Sequence, residues 1–201
     1  MPRLVLGSRN KKKLRELVEL LSDLVEVTDL SPYANAPADI EETGTTFEEN
    51  ARLKATTLAP LLGEWVLGED SGLVVPALGG QPGIYSARWA GEHGNDAANN
   101  AKLLQELANF HGDKRAAYYV STAALADPTG AVVAVVEGRC WGRIAMEPSG
   151  SGGFGYDPLF VIPEYHASFG ELSNAVKHAL SHRGRAIGLL RQTIRQRLLT
   201  G

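Results

Sequence analysis

Leu4-Val5-Leu6-Gly7-Ser8-Arg9-Asn10-Lys11-Lys12-Lys13 decides the class of fold. The three leading apolar residues read as a short buried strand. The chain then turns through Gly7-Ser8-Arg9-Asn10 into a helix. Leu14, Leu17, Val18, Leu21 and Leu24 are spaced as its one apolar face, and Asn10 is its N-cap. A strand running straight into a helix is the opening unit of an α/β fold. The same turn leaves free backbone N–H groups and the positive end of the helix dipole, which together favour an anion.

Working outward, Val25 to Thr28 is a second strand, and a polar loop, Asp29 to Gly44, carries Asp39, Glu41 and Glu42. Thr45 and Thr46 with Glu48 and Glu49 offer two registers of a capping box. The helix they open turns Phe47, Ala51, Ala55, Leu58 and Leu62 inward, with Asn50 and Lys54 together on the border of that stripe. Trp65-Val66-Leu67-Gly68 predicts a strand that delivers Glu69-Asp70-Ser71-Gly72 at its end. Asp96 to Phe110 predicts a helix with Ala97, Ala101, Leu104 and Leu107 on its core side. Ala116 to Leu125 and Ala131 to Gly142 read as a hairpin about Asp127-Pro128-Thr129-Gly130. Leu159 to Ile162 is a further strand. Ser181 caps a closing helix over Arg185 to Leu199, with Ile187, Leu190, Ile194 and Leu198 inward. The expectation is an α/β fold with a mixed sheet, in one domain spanning residues 1–201.

Composition sets the outer limits. At 201 residues with 44% hydrophobic and 21% charged residues, the chain has the make-up of a globular protein with a buried core. A formal net charge of −3 gives no support to nucleic-acid or membrane-surface binding. No apolar run approaches the roughly 20 residues that span a bilayer. The start, Met1 to Gly7, turns polar too soon for a signal peptide, so the cytoplasm is the expected compartment. The single cysteine, Cys140, lies in an apolar run and reads as a small buried hydrophobe.

Four stretches carry chemistry. In the first, Lys13 is one turn before Leu17 and lies near the buried edge. It is placed to hold a phosphate together with the Ser8 hydroxyl and the backbone at Asn10, although the GxxxxGK[ST] pattern is absent. Lys11 and Lys12 also fit a solvated basic face. Second, Glu69-Asp70-Ser71-Gly72 reads either as a tight turn or as a metal-binding carboxylate site, to which Glu41 or Glu42 adds a second acid. Third, Ser149-Gly150-Ser151-Gly152-Gly153-Phe154-Gly155-Tyr156-Asp157-Pro158 reads as a hairpin or as a loop that stacks on a planar ring. Fourth, Lys177 with Ser181-His182-Arg183-Gly184 gathers hydrogen-bond donors at a helix start. Zinc-type ligand spacing, an HExxH helix and a nucleophile elbow are all absent from the sequence.

Six blocks in order resemble the inosine triphosphatase family, the noncanonical purine nucleoside triphosphate pyrophosphatases. They are Ser8 to Lys13; Glu41-Glu42-Thr43-Gly44 with Thr46 to Ala55; Glu69-Asp70-Ser71-Gly72-Leu73; Pro82 to Arg88; Gly152 to Pro158; and Ser181 to Gly184. The resemblance implies an elongated mixed sheet flanked by helices, with two lobes and a central nucleotide cleft. It implies hydrolysis of ITP, dITP and XTP to the monophosphate and pyrophosphate with Mg²⁺, in a homodimer. Residue by residue, it implies that Ser8, Arg9, Asn10, Lys11, Lys12 and Lys13 line the phosphates, with Lys54 assisting. Glu41 and Asp70 would serve the metal, Asp70 would be the proton acceptor, and Ser71 would touch substrate. Phe154, Gly155, Tyr156 and Asp157 would hold the base, with Lys177, His182 and Arg183 completing its pocket.

Arg9 and Lys12 stand where other members often have glycine, so their side chains are expected to point outward. Val176 stands where an acid is common. Two alternatives remain at this level: a pyrophosphatase for other modified nucleotides, and a catalytically silent nucleotide-binding protein. An RNA-binding module has neither the charge nor the interleaved aromatic and basic residues it needs.

Overall fold

The computed structural model describes residues 1–38 and 40–199; Asp39 lies outside the described residues. Among the described residues seven strands form one sheet in the order β2-β1-β3-β4-β5-β6-β7. These are β1 (Arg3–Leu6), β2 (Glu26–Thr28), β3 (Val66–Val74), β4 (Ala116–Ala126), β5 (Val132–Ile144), β6 (Phe160–Ile162) and β7 (Ala167–Ser168). β1 runs parallel to both β2 and β3, whereas β5/β6 and β6/β7 are antiparallel, so the sheet is mixed as expected. The helices are α1 (Lys11–Leu21), α2 (Phe47–Leu62), α3 (Asp96–Glu106), α4 (Asn174–Leu180) and α5 (His182–Ile194). No helix among the described residues is long and apolar enough to cross a membrane.

The chain divides into two compact units, each built from separate segments. Unit 1 is Met1–Asp70, Ser121–Gly138 and the chain from Arg183 on; unit 2 is Ser71–Val120 and Arg139–His182. In unit 1 the sheet has a core on each face. Leu4, Leu6, Leu67, Ala123 and Leu125 meet Leu17 and Leu21 of α1 and Ile187, Leu190 and Ile194 of α5. Val5, Val66, Ala124 and Ala126 meet Ala51, Ala55, Leu58 and Ala59 of α2. This is strand alternation, with successive residues facing opposite helix layers. The core of unit 2 gathers Leu73, Leu103, Leu107, Tyr119, Tyr156, Phe160 and Phe169.

The capping signals behave as their chemistry requires. The Asn10 carboxamide accepts from the N–H groups of Lys12 and Lys13, and Thr46 and Glu49 form the reciprocal box. Elsewhere the pattern misleads. Val18 is exposed, and Glu16 is buried in its place because Arg183 engages it. Ala97 and Ala101 face outward; the buried side of α3 is Asn99 and Leu103, continued by Leu107 just past its end. Asn99 is drawn inward by backbone, accepting from the Ala90 N–H at 2.8 Å and donating to the Ala87 carbonyl at 3.4 Å. β3 does not stop at Gly68. It continues through Glu69-Asp70-Ser71-Gly72 to Val74. The closing helix does start at His182, directly after Ser181 as expected, but Arg195–Leu199 take wider π-helical turns.

Candidate active site

In unit 1, the two acids of β3 leave the strand toward different layers. Glu69, wholly buried, meets the Lys13 ammonium of α1 at 2.7 Å, the Arg183 guanidinium of α5 at 2.9 Å and the Ser121 hydroxyl of β4 at 2.8 Å. Arg183 also pairs with Glu16, so its two terminal nitrogens are taken up by two carboxylates. Burial opposes ionisation of Glu69, but Arg183 and Lys13 outweigh it and hold its carboxyl well below the usual range.

Asp70 faces α2. Its Oδ2 accepts from the Asn50 carboxamide at 3.1 Å, and Oδ1 lies 3.8 Å from the Lys54 ammonium. Lys54 also pairs with Glu42 and donates to the Glu69 backbone carbonyl at 3.2 Å. Asn50 in turn accepts from the Gly44 N–H at 2.9 Å, which ties the acidic loop to the site. Burial pushes the Asp70 carboxyl upward, with Lys54 and Lys13 pulling against it. For Lys54 burial works the other way, yet Asp70, Glu42 and Glu69 keep its ammonium above the usual value. Gly68 allows this approach of helix to strand, since a Cβ there would run into the Ala51 carbonyl and stand 2.8 Å from the Ala55 nitrogen.

At the turn after β1, Ser8 Oγ accepts from the Asn10 N–H at 3.2 Å, and the Ser8 N–H donates to Leu6. Lys12 is exposed. Arg9 does point outward, its guanidinium 3.3 Å from the Pro37 carbonyl. Lys11 is committed to Asp29 at 2.5 Å and to Ser31 at 3.1 Å. Glu41 is exposed, while its neighbour Glu42 is the acid against Lys54.

Unit 2 holds the glycine-aromatic loop, and Ser71 is its first residue. Asp157 is buried there. Its Oδ2 accepts from the Phe154 N–H at 2.7 Å and from the Lys177 ammonium at 2.8 Å. Lys177 also lies over the Phe154 ring, 4.9 Å from its centroid. Gly153 has φ +72° and Gly155 φ +63°, a backbone that glycine adopts without strain. The Gly155 peptide is held from both sides by α3: its N–H donates to Asp96 at 2.9 Å and its carbonyl accepts from Asn100 at 2.9 Å. Tyr156 is buried and donates to the Ser86 carbonyl at 2.9 Å. His182 stacks on Tyr119 with centroids 4.7 Å apart and planes 13° from parallel.

Asn50, Glu16 and Tyr119 are therefore parts of these clusters that sequence reasoning did not place in the site, whereas Glu42 and Glu69 stood in its acidic stretches without their cation partners. For Asn50 the signal was present, as it shares a helix face with Lys54. Among the described residues no group of three or more His, Cys, Asp or Glu side chains is set to hold a metal by itself. The acids at hand, Asp70 with Glu41 or Glu42 of the acidic loop, offer oxygen donors only, and Glu42 is already paired with Lys54. This suits a hard cation whose remaining ligands are water and phosphate.

Comparison with known proteins agrees over nearly the whole chain. A family model described as the Ham1 family matches residues 4–193. A dITP/XTP pyrophosphatase of Rhodopirellula baltica is 56% identical over 187 residues, covering 92% of this chain and 89% of that protein. One from Shouchella clausii is 47% identical over 194 residues, covering 96% and 97%. Among solved structures, a HAM1 protein from Coxiella burnetii superposes with a TM-score of 0.87 at 39% identity, over 98% of this chain and all of that one.

Proposed function

The chain belongs to the Ham1 family, and on that premise we propose how its residues divide the work of hydrolysing noncanonical purine nucleoside triphosphates, dITP, ITP and XTP, to the monophosphate and pyrophosphate. The observation that carries the assignment is the buried Asp70 carboxylate, held by Asn50 and faced by Lys54. Asp70 accepts a proton from water as the water oxygen attacks the α-phosphorus. The bond from that phosphorus to the bridging oxygen breaks, and pyrophosphate leaves with the electron pair. The raised affinity of Asp70 for a proton suits this role. Lys13 and Lys54 offset charge on the phosphates, and the Ser8–Asn10 turn supplies N–H donors.

Asp70 with Glu41 would hold Mg²⁺, which when bound supplies further neutralisation of phosphate charge. In unit 2, Phe154 offers a stacking face for the base. Lys177 and His182 are the donors that favour a 6-oxo purine, because a site built to donate to that oxygen rejects an amino group; Arg183, expected with His182 to make that selection, has its two terminal nitrogens on Glu16 and Glu69. A homodimer, which rests on the family resemblance, and a cytoplasmic location complete the proposal; gel filtration tests the oligomeric state.

The deciding assay incubates the protein with dITP, XTP and ATP in Mg²⁺ and separates the products. Pyrophosphate from dITP and XTP, with little from ATP, is the expected result. Orthophosphate as the first product, or equal use of ATP, contradicts it.

A further inference from the structure

Tyr119 of β4 belongs to none of the motifs. It is buried, its ring packed against Phe160 at 4.6 Å and Phe169 at 6.2 Å between centroids, with His182 stacked on it at 4.7 Å. A phenylalanine would fill this apolar nest equally well. A buried hydroxyl is costly unless it finds a partner. The Tyr119 hydroxyl has one: it donates to Asp157, and burial together with that carboxylate keeps the phenol protonated far above the usual range. Asp157 is the same group that holds the Phe154 N–H and the Lys177 ammonium. Tyr119 thus touches His182 with its ring and, through Asp157, joins Phe154 and Lys177 to one rigid support.

We propose that Tyr119 is a positioning residue for base selection: its ring fixes the plane of His182, and its hydroxyl fixes the carboxylate that places Phe154 and Lys177. This deepens the proposed function and rests on its assignment of those three residues to the purine base.

The test uses Tyr119→Phe, which keeps the ring, and Tyr119→Leu, which removes it. Steady-state kinetics on dITP and ATP are set beside inhibition by inorganic pyrophosphate, a product that carries no base. Tyr119→Phe is expected to raise KM for dITP about threefold with kcat within about twofold. Tyr119→Leu is expected to raise KM about tenfold and to shrink the preference for dITP over ATP by a similar factor. Pyrophosphate inhibition stays unchanged in both. An unchanged dITP-to-ATP preference in a folded Tyr119→Phe protein overturns the proposal. So does pyrophosphate inhibition that weakens in step with dITP, which would make Tyr119 a general packing residue. Failure of the wild-type protein to release pyrophosphate from dITP would instead count against the proposed function itself.

Discussion

Glu69 and Asp70 are adjacent on β3 and serve opposite layers of unit 1. Glu69 meets Lys13, Arg183 and Ser121 beside α1 and α5, while Asp70 meets Asn50 and Lys54 of α2. The period of two along a strand separates them so fully that two like charges one residue apart share no hydrogen-bond partner in those contacts. A buried acid between two cations is a structural tie. Asp70, beside the neutral Asn50 amide and 3.8 Å from the Lys54 ammonium, keeps through its burial a raised affinity for a proton.

The two neutral isosteres should therefore behave differently. Glu69→Gln leaves Lys13 and Arg183 around an uncharged amide and should lower stability by about 3 kcal/mol, read from urea denaturation. Asp70→Asn should leave stability nearly unchanged and nucleotide binding intact by calorimetry. Its turnover should fall by about 10²- to 10⁴-fold. Turnover that survives in Asp70→Asn removes it as proton acceptor.

Glu41 is exposed, so Glu41→Gln should melt like the parent protein. If it helps to hold Mg²⁺, the concentration needed for half-maximal activity should rise about tenfold or more. Glu42→Gln should have the smaller effect on the Mg²⁺ titration, since Glu42 is paired with Lys54. The reverse order moves the assignment to Glu42.

Asp29 gives a pH dependence of its own, set by burial, Lys11 and Ser31. Burial would raise its pKa, but Lys11 and Ser31 outweigh that and hold it below the usual aspartate value. A folded pKa below the unfolded one means stability that is present above about pH 4 and is lost as pH falls through the folded value. Lys11 is 67% exposed, so solvent screens the pair. Asp29→Asn should cost about 0.5–1 kcal/mol near neutrality and nothing measurable in strong acid. Equal losses in urea midpoint at both ends would show that packing, and not charge, is what the substitution removes.

Much of this fold is legible because its signals are local. Asn10, and Thr46 with Glu49, announce helices within four residues of themselves. The length of β3 is not legible. Glu69-Asp70-Ser71-Gly72 has the composition of a turn, and what keeps it extended lies far away: Arg183 is 114 positions from Glu69. The same distance effect buries Glu16, whose guanidinium partner is 167 positions on. Ala97 and Ala101 mislead for a different reason. A methyl group gains little by burial, so Asn99, which satisfies two backbone groups, takes the inner face instead. In the candidate site, motif order singles out Lys13, Lys54 and Asp70, and the fold sets Lys13 against Glu69 and Lys54 near Asp70. That Glu69 restrains Lys13 while Asn50 restrains Asp70 needs the alternation of a strand whose extent was hidden.

Arg115 tests the packing of unit 2. It is buried, and its guanidinium donates to the carbonyls of Leu107, Phe110, Ile144 and Ala145 at 2.8, 3.3, 2.8 and 2.5 Å. It thereby closes the carbonyl end of α3 onto the end of β5. A lysine brings its donors on one nitrogen and cannot span these oxygens. Arg115→Lys should lose about 2–3 kcal/mol by chemical denaturation, and a variant as stable as the parent would mean that water replaces the fork at little cost.

Gly68 separates stability from catalysis most sharply. Its Cα faces the backbone of α2, and the atoms that an added Cβ would meet are the Ala51 carbonyl and the Ala55 nitrogen, neither of which can swing aside as a side chain does. Gly68→Ala must push α2 away from β3, at about 1–3 kcal/mol for overpacking. Asn50 and Lys54 stand on that helix, one turn apart, and both address Asp70 from it. A shift of a few tenths of an ångström would lengthen both contacts together, so kcat should fall further than the loss of stability alone explains. Measuring kcat well below the melting midpoint isolates this effect. If kcat there equals that of the parent protein, the spacing of α2 from β3 does not govern Asp70, the proposed proton acceptor, and Lys54 reaches its working position only when substrate binds.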